Sequence, residues 1–127
     1  MEFFAFARVS TDSAQLQAAL TISCLPDFCA SVDKIFTDHG DYGEMYCLWG
    51  QFVVNREPIR DGVRFSLPGC PNALAWTVAV NSEAPGEVVV HCTINRRRPD
   101  IDFADSIRQF VDDWTVGLEQ NIALFPK

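Results

Sequence analysis

The side chains able to do chemistry are few and scattered. Histidine occurs only at positions 39 and 91, and cysteine at 24, 29, 47, 70 and 92. Four residues separate Cys24 from Cys29 (CLPDFC), but a zinc site needs further paired ligands at short spacing, and none stands nearby. Cys47 and Cys92 lie singly in β-prone stretches, where a thiol serves as a small buried hydrophobe. No metal and no cofactor is expected. The odd cysteine count, with no secretory signal in MEFFAFARVS, reads as free thiols in a reducing compartment, so the expected location is the cytoplasm. His39 falls in the turn-forming stretch HGDYG and is expected in solvent. His91 is the candidate general base. It alternates with Val90 and Cys92 and shares its face with Thr93 and Asn95. Turned into a cavity it could act as a base or a ligand anchor, but the alternation points it toward water. No nucleophile elbow, Gly-rich phosphate loop or His-Glu-x-x-His motif occurs. Asp112 and Asp113 diverge by about 100° on a helix and make no carboxylate pair. No catalytic residue is assigned.

Charge narrows the partners. The formal net charge is −7, which argues against non-specific nucleic-acid binding and against an anionic membrane surface. No apolar run approaches the roughly 20 residues of a membrane span, so no membrane insertion is expected. The one basic cluster, Arg96-Arg97-Arg98, borders Asp100 and Asp102 and reads as a solvated turn, with an anion or partner site as the alternative. At 127 residues, 48% apolar and 21% charged, the chain fits one soluble domain with a core large enough to fold without a staple.

The elements that must position these residues follow from hydrophobic period. Phe3–Val9 reads as a strand, and Asp12 with Gln15 three residues on resembles a capping box opening a short helix to about Leu20. Pro26 restarts the chain in one further helical turn. Ser31–Asp38 could extend that helix, but HGDYG and the apolar stretch after it favour strand–hairpin–strand. Glu44–Arg56 reads as one long strand with a bulge at Gly50, ended by Glu57-Pro58. Gly62–Leu67, Ala73–Asn81 and Glu87–Arg96 alternate, the last two as an antiparallel hairpin. A terminal helix carries Phe103, Ile107, Phe110, Val111, Trp114, Leu118, Ile122 and Phe125 within an arc of about 120°. At about 22 residues it would reach near 33 Å, enough to cross a sheet, and its apolar stripe requires one.

This order resembles the helix-grip fold of the START and polyketide-cyclase (SRPBCC) superfamily, and within it the branch like the heat-shock-protein ATPase activator. The likeness is carried by Phe6–Leu20 followed by Leu25-Pro26-Asp27-Phe28, by the hairpin ALAWTVAVNSEAPGEVVVHCTIN, and by Trp114 one turn before Leu118 in the last helix. It implies an α+β fold with a curved antiparallel sheet, here of about six strands, and a cavity between sheet and terminal helix for a small hydrophobic molecule. No catalytic constellation is shared across the superfamily, so none carries over. The residues placed to line such a cavity are Trp49, Phe65, Trp76, Val78, Cys92, Phe110, Trp114, Leu118 and Asn121. The aromatics among them equally make an ordinary core. Asn121 within the apolar stripe needs a partner, which a ligand or a water could supply. Besides a ligand-binding protein, a cyclase- or hydrolase-type enzyme using the cavity, with His91 as base, and a homodimeric interaction module without a ligand remain open.

Overall fold

The computed structural model describes residues 1–122. Strand β1 (Glu2–Arg8) leads to helix α1 (Ser13–Ala19), a single 3₁₀ turn (Ile22–Cys24) and helix α2 (Leu25–Phe28). Six more strands follow: β2 (Val32–Asp38), β3 (Tyr42–Cys47), β4 (Gly50–Ile59), β5 (Gly62–Ser66), β6 (Ala75–Val80) and β7 (Glu87–Thr93). Helix α3 (Ile101–Asn121) ends the described chain. The strands form one antiparallel sheet in the order β1-β7-β6-β5-β4-β3-β2. The α+β class and the terminal helix gripped by a sheet are as expected, and the strand count is corrected from six to seven.

The seventh strand comes from the stretch read as one. Glu44–Arg56 is a hairpin: Cys47 pairs with Gly50, and Leu48-Trp49 is a two-residue turn. Gly50 is not a bulge. It closes the turn at φ +114°, a conformation that a residue with a Cβ rarely adopts. Leu48 and Trp49 have no turn chemistry of their own, so this break leaves little local trace. Strand β4 also runs past Pro58 to Ile59. Strand β3 pairs only as far as Asn55, so the missing proline N–H falls where β4 has no neighbour on that side. Ser31–Asp38 does form the favoured strand and hairpin, with two register irregularities along β2.

Local signals set the short helices. Asp12 caps α1, accepting from Gln15 N at 2.7 Å. At its other end Arg56 donates from Nε to Leu20 O at 2.7 Å and from Nη2 to Gln17 O at 2.6 Å. These carbonyls would otherwise lack partners, and a cation suits a helix C-terminus.

Helix α3, about 32 Å long by its rise per residue, lies chiefly over β1, with β7 and α2 beside it. It starts at Ile101, with Asp102 in its first turn. It buries Ala104, Ile107, Phe110, Val111, Trp114, Gly117 and Leu118, while Phe103 is half-buried. Phe125, the last of the expected stripe, lies outside the described residues. The sheet answers with its inner face: Phe3, Ala5 and Ala7 of β1, Val88, Val90 and Cys92 of β7, and Trp76 and Val78 of β6 are all buried. No helix among the described residues is long and apolar enough to cross a membrane.

Candidate ligand site between the terminal helix and the sheet

Alternation in β6 turns Trp76 and Val78 inward, and the register sets Phe65 across from Trp76 on one side and Cys92 on the other. Above them, Phe110, Trp114 and Leu118 recur every four residues, so one stripe of α3 presents all three. The rings meet. Trp76 and Phe110 are 4.8 Å apart edge to face, Phe65 stacks on Trp76 at 5.3 Å, and Trp114 lies 6.1 Å from Phe65 and 6.4 Å from Trp76. These four side chains are at most 1% exposed. Val78, Cys92 and Leu118 are fully buried in the same core.

Trp49 joins from the β3–β4 turn. Its ring lies 4.9 Å from Phe110 and 6.1 Å from Phe103, half-buried at the margin. Its Nε1 donates to Ser106 Oγ at 2.8 Å, and that hydroxyl donates to Phe103 O at 2.6 Å. Ser106 is a residue that sequence reasoning missed. The available signal was its place on the helical wheel, about 40° beyond Phe110 at the edge of the stripe.

Of the nine expected lining residues, eight are brought together and Asn121 is not. Asn121 is partly exposed at the end of α3, and its Nδ2 donates to Asp27 O at 2.8 Å. The partner it requires is therefore the backbone of α2. Two further ties fasten the same region: Ser31 donates to Asp113, and Cys29 Sγ donates to Phe110 O at 3.8 Å. Asp113 also accepts from Gln109, one turn earlier on α3, at 2.7 Å.

The polar content of the interior is unusual. Trp76 Nε1 and Trp114 Nε1 are both buried with no hydrogen-bond acceptor among the described residues. Trp49, the third tryptophan, has one. An orphaned buried N–H costs about 1–3 kcal/mol, and buried tryptophans usually find a partner. Two such donors stand in one aromatic cluster, on opposite walls, one from the sheet and one from the helix.

Burial pushes the Cys92 and Cys29 thiols up to about 12 and raises Cys47 as well. All three stay protonated at neutral pH and are poor nucleophiles. Alkylation by iodoacetamide at pH 8, followed by peptide mass mapping, should modify the half-buried Cys24 and Cys70 in the folded protein. Cys29, Cys47 and Cys92 should react only after urea is added. Rapid labelling of Cys92 in native buffer would show that the interior opens freely. Among the described residues no three His, Cys, Asp or Glu side chains gather as a metal site.

His91 lies on the opposite face of the sheet from α3, as its alternation suggested. It stacks on Phe4 at 4.2 Å, and its Nε2 is 2.9 Å from Glu2 Oε1. It has no access to the helix–sheet interior. His39 stacks on Tyr42 in its exposed turn, and Arg96, Arg97 and Arg98 are exposed between β7 and α3.

Seven antiparallel strands gripping one long terminal helix make this a START-like helix-grip fold. A START superfamily protein from Mycobacterium smegmatis shares it at a TM-score of 0.69 and 7% identity, over 97% of this chain and 97% of that one. So does an uncharacterized protein from Bacillus thuringiensis, at a TM-score of 0.68 and 12% identity, over 97% of this chain and 99% of that one. At such identities the likeness is one of fold. No family model matches the sequence, and no curated protein does.

Proposed function

We propose that this chain binds a small, mostly apolar molecule between α3 and the sheet, with the molecule's hydrogen-bond acceptor received by the Trp76 and Trp114 indoles. The observation that carries this reading is the pair of buried indole N–H groups without acceptors among the described residues. Aromatic walls supply contact area, while a few convergent polar groups fix orientation. A carbonyl or hydroxyl oxygen brought between the two indoles would relieve an unsatisfied donor on each wall. The rings are in contact in this structure, so entry requires one wall to move. The β3–β4 turn is the natural mover, since its link to α3 is the Trp49–Ser106 hydrogen bond backed by ring packing.

The START-like fold is compatible with this role, and the sequence motifs resemble those of the heat-shock-ATPase-activator-like branch. Among them, Leu25–Phe28 does form a proline-containing helical turn after α1. A binding role is favoured over an enzymatic one because His91, the candidate base, stands on the far face of the sheet. The free cysteines fit a cytoplasmic protein.

Native mass spectrometry of the purified protein tests the proposal. A co-purifying small molecule is expected, lost in Trp114→Phe while the fold is kept. A bare chain mass, with no thermal shift from a panel of fatty acids, sterols and aromatic polyketides, would overturn it.

A further inference from the structure

We propose that β1 is a self-complementary edge through which two copies of this chain pair antiparallel, about a two-fold axis at Ala5, to form one continuous sheet. Strands β1 and β2 are the two edges of the sheet, and they differ. Strand β2 is broken by two register irregularities and presents exposed Asp33 and Lys34, devices that blunt an edge. Strand β1 (EFFAFAR) pairs with β7 without irregularity and contains no proline, no lysine and no bulge.

The backbone direction is set by the pairing with β7. Val9 N donates to Gly86 O at 3.0 Å and Met1 O accepts from Ile94 N at 3.1 Å, so the odd residues of β1 face β7. The even residues turn their N–H and C=O groups away from it. Arg8 shows this directly, since its N–H reaches out to Glu119 at 2.9 Å. The side chains of these same even residues all lie on the outer face. There Phe4 and Phe6 are 53% and 56% exposed, a large apolar load for an open edge. Helix α3 touches the edge at the Arg8 end through Glu119, and toward the other end an open groove lined by Met1, Glu2, Phe3, Phe4, Arg108, Val111 and Asp112 separates them.

Charge then selects the occupant and the register. Glu2 and Arg8 stand at equal distances on either side of Ala5. In a strand paired with its own copy about Ala5, Glu2 opposes Arg8 of the second copy and Phe4 opposes Phe6 of the second copy. Even residues meet even residues, so each Phe4–Phe6 pair exchanges both main-chain hydrogen bonds. On the inner face Phe3 meets Ala7, large against small. Sliding the register by two residues in either direction leaves both Arg8 and Glu2 without an opposite charge. Neither charge is saturated within the chain. Arg8 has no ion pair among the described residues, and its cross-strand neighbour Glu87 accepts from Asn81 at 3.1 Å. Glu2 engages His91 through Oε1, which leaves Oε2.

Light scattering coupled to size exclusion, on the full chain at micromolar concentration, should give twice the 14.2 kDa chain mass. Glu2→Arg and Arg8→Glu each place like charges opposite one another and should weaken the dimer about tenfold or more. The double variant E2R/R8E restores both pairs and should restore the dimer. Phe4→Lys, which leaves the β7 ladder intact, should give a folded monomer by circular dichroism. A natural chain that runs as a monomer overturns the proposal. So does a dimer indifferent to the single reversals, or a double variant that stays monomeric.

Discussion

Replacing Gly117 with alanine is expected to destabilise the protein by about 3 kcal/mol, although helix propensity alone favours the change by about 1 kcal/mol. Gly117 lies in the middle of the last two turns of α3, buried against α2. A Cβ there would stand 1.9 Å from the Phe28 carbonyl oxygen, 2.4 Å from its carbon and 2.9 Å from Phe28 Cα. All three are backbone atoms, so no side chain can swing aside. Nor can α2 retreat as a unit, because Asp27 O is held by Asn121, Cys29 by Phe110 O and Ser31 by Asp113. The clash is relieved only by lifting α3 off α2, which opens the packing of Trp114 against Phe28, rings now 6.5 Å apart. Urea unfolding measures the outcome. With a slope of about 1–3 kcal/mol/M, the midpoint should fall by at least about 1 M. Val116→Ala, at a 52% exposed neighbour, should shift stability by no more than about 0.5 kcal/mol. If Gly117→Ala proved as stable as the natural chain, α2 would have to be free to move, and the clamp described above would not be rigid.

This glycine also shows where the chain is legible and where it is not. Periodicity alone located the strands around Trp76 and Cys92 and the stripe of α3, because burial on one face imposes a strict period of two or 3.6. From those, the meeting of Phe65, Trp76, Phe110 and Trp114 follows. What stayed hidden depends on contacts between residues far apart in sequence. Nothing local says that Leu48-Trp49 is a turn. It is held there because Trp49 finds Phe110 and Ser106 some 57 residues on. Asn121 looked like a polar intruder on an apolar face, and its partner is a carbonyl 94 residues away. Nothing local marks Gly117 as the notch into which α2 fits. In each case tertiary packing overrides a local preference of at most about 1 kcal/mol.

Trp114→Ala is expected to cost about 3–5 kcal/mol, the range for removing a large aromatic from a closed core. Trp114 touches Phe28, Phe65 and Trp76 and is fully buried, so the surrounding rings cannot close the void without leaving their own contacts. Trp114→Phe separates two parts of that cost. It keeps most of the ring volume while deleting the N–H that has no acceptor among the described residues. The lost volume is unfavourable and the deleted orphan donor is favourable, each on the order of 1–2 kcal/mol. Their near-cancellation should leave Trp114→Phe within about 1.5 kcal/mol of the natural protein in urea or thermal unfolding. Ligand binding has no such cancellation. If the indole N–H receives the acceptor of the bound molecule, Trp114→Phe removes a hydrogen bond made only in the complex, and affinity should fall about tenfold. A plain core tryptophan would tie the two measurements together, with stability and any binding falling in step. A near-neutral fold with weakened binding is the signature of a donor held ready for a ligand. Trp76→Phe should repeat the pattern from the opposite wall, since its Nε1 is orphaned in the same way.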